Sequence, residues 1–130
     1  TKWNMEPASQ AKAKITTKDI DFGQPSQRKK IYKVYVTFKS TGATNIEVYY
    51  DVDGGISFGK QFQDGDYFTS NKLLTTAGAW EIAELKPATS SEANNIKSIR
   101  LRFKNLTASD TPSDFEINDI CIVYRAKSIK

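Results

Sequence analysis

Residues 29–39 (KKIYKVYVTFK) and 45–53 (NIEVYYDVD) constrain this chain more than any other stretch, because apolar and polar side chains alternate along both with period two. In the first, Tyr32, Val34, Val36 and Phe38 share one face and Lys33, Tyr35, Thr37 and Lys39 the other. In the second, Ile46, Val48, Tyr50 and Val52 oppose Glu47, Tyr49 and Asp51. Half-buried β-strands carry that pattern. Residues 40–44 (STGAT) between them are turn-forming, so the pair predicts an antiparallel hairpin with one face on the core and one in water.

The rest of the chain extends the same reading. Residues 1–10 (TKWNMEPASQ) are polar with Pro7 among them and predict an extended arm or linker anchored by Trp3, ahead of a single domain over residues 11–130. Residues 12–22 alternate imperfectly through Ile15, Ile20 and Phe22, and Gly23-Gln24-Pro25 then supplies a turn. Residues 54–74 are rich in Gly, Asp, Ser and Asn and form the longest irregular region, punctuated by Phe58, Phe62, Tyr67 and Phe68. Order returns over residues 79–85 (AWEIAEL), a strand or a helix of one or two turns. Residues 95–104 (NIKSIRLRFK) predict a strand with Ile99, Leu101 and Phe103 inward, followed by turn-rich residues 105–113. In residues 114–127 (DFEINDICIVYRAK), Phe115 and Ile117 have one parity and Ile120, Ile122 and Tyr124 the other, so a β-bulge at Asn118-Asp119 is expected. Short strands separated by turns argue for an all-β antiparallel sandwich with jelly-roll or Greek-key connections.

Composition narrows the chemistry. With 130 residues, 38% hydrophobic and 26% charged, one core fits and two do not. No apolar run approaches the roughly 20 residues of a spanning helix, and the start lacks the layout of a secretory signal, so membrane insertion is not expected. A first residue of Thr1 leaves open a processed protein or a domain cut from a longer one. Cys121 is the only cysteine, which excludes an internal disulfide, and its place between Ile120 and Ile122 predicts an inert, buried strand residue. The chain has no histidine, so Cys-His and Ser-His catalysis and Cys/His zinc sites are excluded, and no cofactor is expected. A formal charge of +4 is spread over strands and loops. Its densest groups are Arg28, Lys29 and Lys30, and Lys97, Arg100, Arg102 and Lys104. A solvated sheet face or a charged edge accounts for both, and nucleic acid is not expected because stacking aromatics are not interleaved with them.

Three motifs bear on function. Asp51-Val52-Asp53-Gly54-Gly55 is a poor calcium loop, since Ile56, Ser57 and Phe58 do not continue the ligand pattern. Continued as Asp53-Gly54-Gly55-Ile56-Ser57-Phe58, the stretch looks like an Asp-box turn, in which Asp and Gly shape the turn and the aromatic packs beneath it. Residues 115–120 (FEINDI) resemble the last-strand signature of jelly-roll carbohydrate-binding modules of the galactose-binding type, with Asn118 where Asp is frequent. Tyr35 and Tyr49 form either a stacking platform for a glycan or a cross-strand surface pair.

Residues 17–25 (TKDIDFGQP), 28–39 and 115–130 are similar to segments of uncharacterised virion proteins of marine tailed bacteriophages, where they follow a region resembling tail proteins of the packaged-DNA stabilisation type. The resemblance implies a virion location and a non-catalytic role, with other virion proteins or a host-surface glycan as partners and homo-oligomerisation open. The alternative is a carbohydrate-binding module using Tyr35, Tyr49, Tyr67 and Trp80, with Trp3 beside them. An enzyme would draw on carboxylate pairs such as Glu81 and Glu84 or Asp64 and Asp66.

Overall fold

The computed structural model describes residues 3–4, 14–39, 46–73, 79–105 and 116–127. Nine strands occur among these described residues: β1 (Trp3–Asn4), β2 (Lys14–Thr16), β3 (Lys29–Lys39), β4 (Ile46–Val52), β5 (Phe68–Thr69), β6 (Lys72–Leu73), β7 (Glu81–Leu85), β8 (Ile99–Asn105) and β9 (Glu116–Ala126). The only helical piece among the described residues is a 3-10 turn, Ser90–Ala93. No helix among them is long and apolar enough to cross a membrane. One sheet has the order β1, β9, β3, β7 and the second β2, β8, β4, β6, β5, and every pairing is antiparallel. The pairs are nested along the chain: β1 with β9, β2 with β8, β3 with β7 and β4 with β6.

Both leading stretches are strands, but they are not a hairpin. β3 pairs with β9 and β7, whereas β4 pairs with β8 and β6 in the other sheet. Alternation reports that one face of a strand is buried; it does not say which strand lies beside it. The inner faces of the two strands instead contribute Val34, Val36 and Phe38 from β3, and Ile46, Val48 and Tyr50 from β4, to a single core. Residues 40–44, expected to be the turn, lie outside the described residues, as do 1–2, 5–13, 74, 106–113 and Phe115.

The core continues through Ala83 and Leu85 of β7, Ile99, Leu101 and Phe103 of β8, Leu73 of β6 and Ile117 of β9. Each large apolar side chain buried there contributes about 1.5–3 kcal/mol. Tyr50, Phe62 and Phe68 form an aromatic row, with ring centroids 4.9 and 6.3 Å apart, that pins the long 54–73 connection to the sandwich. This is why the irregular region carries the buried Phe62 and Phe68.

Local departures have identifiable causes. Asn118 is the extra residue where the β3–β9 register shifts between Thr37/Phe38, which returns Ile117 and Ile120 to the inner face, as the parity change predicts. A second shift at Tyr32 turns that side chain outward, 41% exposed, and Ile31 takes its expected place in the core. Trp3–Asn4, in the segment expected to be an extended arm anchored by Trp3, pair with Ile117 and Glu116. Cys121 is exposed rather than buried, because its parity on β9 is that of the outward-facing Tyr35 opposite it. Lys29, read as part of a solvated basic cluster, is fully buried. Phe22 and Gly23, at φ 60 and 78, make the expected turn, closed by Gln24 N–H donating to the Asp21 carbonyl at 3.1 Å.

Candidate functional site

The Asp51–Phe58 motif is a structural loop laid over the outer face of the second sheet. Asp53 and Gly54 adopt φ of 53 and 79, and Gly55 N–H donates to the Val52 carbonyl at 2.9 Å, the geometry of a type I′ turn. The chain then returns so that Phe58, 5% exposed, packs under Arg102, whose guanidinium lies 3.9 Å from the ring centroid. This is the aromatic-beneath-the-turn arrangement expected of an Asp-box. Its organiser is Asp51, which points outward from β4 yet is 3% exposed. The Asp51 carboxylate accepts from Val52 N–H (2.8 Å), Ser57 N–H (3.2 Å), Ser57 Oγ (3.0 Å), Phe58 N–H (3.2 Å) and Lys60 Nζ (3.3 Å). No group of three or more metal-ligating side chains occurs among the described residues.

Gly55 lets the loop close on that carboxylate. A Cβ there would sit 2.5 Å from Cγ and both oxygens of Asp51, which are already held by five donors. Gly55→Ala is therefore expected to cost about 1–3 kcal/mol by overpacking. Denaturant melts check this, and a midpoint equal to wild type would show that the loop relaxes freely.

The four aromatics expected at a binding site are divided between the two sheets. Tyr35 is on the outer face of the first, where Lys33 and Glu84 form a 3.6 Å ion pair beside it. The hydrogen bond from the Tyr35 hydroxyl holds the Glu84 carboxyl below its usual range, against the opposing effect of burial, with Lys86 and Lys33 adding to it. The same hydroxyl and then Glu84 raise Lys33. Tyr49 is on the outer face of the second sheet, where its hydroxyl donates to Glu47 Oε2 at 3.0 Å and Lys104 Nζ lies 5.8 Å from the ring. Burial, then the Glu47 contact, raises the Tyr49 hydroxyl. A shared Tyr35/Tyr49 platform is thus ruled out by the separation of β3 from β4.

Trp80, however, lies on the same outer face as Tyr35. Lys39 Nζ lies 5.0 Å from the Trp80 ring at the end of the outward row Lys33, Tyr35, Thr37, Lys39 on β3. Tyr35 and Lys39 are four strand positions apart, roughly 13 Å. Between them Thr37 faces Ile82 of β7, which is 57% exposed. Sequence reasoning missed Ile82 because an aliphatic residue in a strand reads as core; the smaller Ala83, next to it, occupies the buried side instead. Tyr67, 41% exposed, stands apart in the connection before β5, and hydrogen bonding to Glu81 raises its hydroxyl. The Trp3 side chain lies outside the described residues.

Of the two carboxylate pairs an enzyme would draw on, one is split and the other shares a concavity. Glu81 is opposite Phe38 and Glu84 opposite Tyr35, so they leave β7 on opposite faces. Asp64 and Asp66 line a polar concavity of about 270 Å³ with Glu84 and Lys86, and Asp64 Oδ1 accepts from Ser70 N–H at 2.9 Å. A larger apolar groove of about 780 Å³ runs between Ile15, Ile20 and Phe22 on one side and Ile117, Ile120 and Ile122 of β9 on the other. No family model matches the chain, and no curated protein and no solved structure matches it.

Proposed function

We propose that this chain is a non-catalytic jelly-roll domain of a phage virion or tail protein that works by docking the outer face of its first sheet onto another virion protein. The nested pairing of the four strand pairs across two sheets supports the jelly-roll topology. The virion setting rests on the resemblance carried by residues 17–25, 28–39 and 115–130. One observation carries the docking face: Tyr35, Ile82 and Trp80 lie along it, Ile82 and Trp80 being 57% and 38% exposed, and Lys33–Glu84 (3.6 Å), Lys86–Glu84 (3.3 Å) and Lys39–Glu116 (3.5 Å) are ion pairs on the same face. Protein interfaces combine apolar and polar side chains in this way.

Chemical cross-linking of purified particles tests both halves. Peptides of this chain or its parent are expected in the particles, with links from Lys33, Lys39 or Lys86 to a different virion protein. Absence from particles overturns the setting, and links confined to Lys72 and Lys104 on the other sheet overturn the face.

A second reading, glycan recognition by a module of the galactose-binding type, is favoured by Tyr35 and Trp80 sharing that open face. On an array of bacterial surface polysaccharides it expects binding by wild type that falls at least about tenfold in Tyr35→Ala/Trp80→Ala, with Tyr49→Ala unaffected.

A further inference from the structure

We infer that the protein docked on the outer face of the first sheet is acidic where it meets one corner of that face, and that Lys30 and Arg125, with Lys33 and Lys127 beside them, receive its carboxylates. The inference rests on the docking reading of this face and adds the chemistry of the partner. Lys30, half-buried, and Arg125, exposed, face each other across the β3–β9 ladder. Like charges directly opposite each other destabilise a sheet, so this pairing does nothing for the fold. Lys127 follows two residues on, its N–H donating to the Arg28 carbonyl at 2.8 Å, and brings a third cation to the same end of β9.

Elsewhere the face balances its lysines. Lys33 and Lys86 share Glu84 at 3.6 and 3.3 Å, and Lys39 holds Glu116 at 3.5 Å. Among the described residues no carboxylate forms an ion pair with Lys30, Arg125 or Lys127. The Lys30 ammonium lies instead 5.2 Å from the Tyr32 ring centroid. Tyr32 stands at the register shift of β3 and is 41% exposed, so an aromatic surface is open between Lys30 and Lys33. Tyrosine and arginine are enriched at the centres of protein interfaces. A protein surface that covers Tyr32 also takes charge out of water at Lys30 and Arg125, which is costly unless carboxylates arrive with it.

A second copy of this chain offers less. Its carboxylates on the same face are Glu84 and Glu116, both already in ion pairs, and Asp119 opposite Thr37. Asp119 alone does not balance two facing cations. The β7 flank is a poor place for an acidic contact, because Asp64 and Asp66 line the concavity beside Lys86 there. The complementary charge therefore belongs at the β3–β9 corner.

Lys30→Glu separates this role from folding. It places a carboxylate opposite Arg125, so its melting temperature should be no lower than that of wild type, yet its recovery in purified particles should fall at least about tenfold. Arg125→Glu should behave alike, paired with Lys30. Lys30→Arg keeps the charge and should be recovered as wild type is. A carbodiimide, which joins lysine directly to a carboxylate, should link Lys30, Lys33 or Lys127 of wild-type particles to Asp or Glu of a different virion protein. A link from Lys30 to Asp119 overturns the inference in favour of self-association, since the two are roughly 20 Å apart along the ladder within one chain. Full recovery of both Glu variants overturns it as well. If amine-reactive links from Lys33, Lys39 or Lys86 to another virion protein persist in that case, the docking reading stands and the acidic partner alone is rejected. Absence of the chain from particles rejects both.

Discussion

Lys29→Met is expected to destabilise the fold by about 3–5 kcal/mol, a fall in melting temperature of roughly 10–20 °C, although methionine nearly matches lysine in length. The Lys29 side chain is fully buried, and its ammonium donates all three hydrogens to backbone carbonyls, of Gln24 at 2.6 Å, Gln27 at 2.9 Å and Lys97 at 2.8 Å. Those carbonyls come from the turns before β3 and β8, so one cation ties two connections together. Truncation leaves the three carbonyls turned toward an apolar side chain, without a donor. Lys29→Arg should fare little better, because a planar guanidinium cannot place three hydrogens from one nitrogen. Lys30→Met is the control: its ammonium lies 5.2 Å over the Tyr32 ring at the surface, and a change under about 1 kcal/mol is expected. Equal melts for the Lys29 and Lys30 variants would refute the cage as a stabilising element.

Asp51→Asn is expected to cost about 2–4 kcal/mol at neutral pH, with the loss narrowing in acid. Burial by itself would raise the Asp51 carboxyl. Donation from Val52 N–H, Phe58 N–H, the Ser57 hydroxyl and Lys60 outweighs it and holds the group at about 2, against 3.8 when unperturbed. A carboxylate depressed in this way stabilises the folded state above its unfolded value and loses that contribution as pH falls through its folded value. The wild-type advantage should therefore be complete above about pH 5 and shrink steadily toward pH 2. Denaturant titrations of both proteins at several pH values measure it. A gap that stays constant to pH 2 would mean that the variant fails through packing alone.

Both residues show where sequence pattern stops being informative. The turn at Asp53–Phe58 was legible, because an Asp-Gly pair followed by an aromatic is a local signal, whereas Asp51 entered only through the rejected calcium loop. That Asp51 rather than Asp53 holds the loop depended on which carboxylate the returning chain covers. Lys29 sits between Arg28 and Lys30, and nothing local distinguishes a lysine in water from one whose ammonium meets three carbonyls drawn from positions up to 68 residues away.

Along β3, β4, β8 and β9 the sequence by itself determined that strands exist, which residues of β4 and β8 face the core, and that β9 must bulge near Asn118. Period-two alternation and its interruption are properties of a few consecutive residues, enforced by the pleat. Tertiary structure alone decided that β3 and β4 belong to different sheets, that Tyr32 is displaced by Ile31, that Ala83 and not Ile82 faces inward on β7, and that Tyr35 shares its face with Trp80 instead of Tyr49. Backbone hydrogen bonds are alike in every strand, so the choice of neighbour rests on how all the inner faces fill one core together.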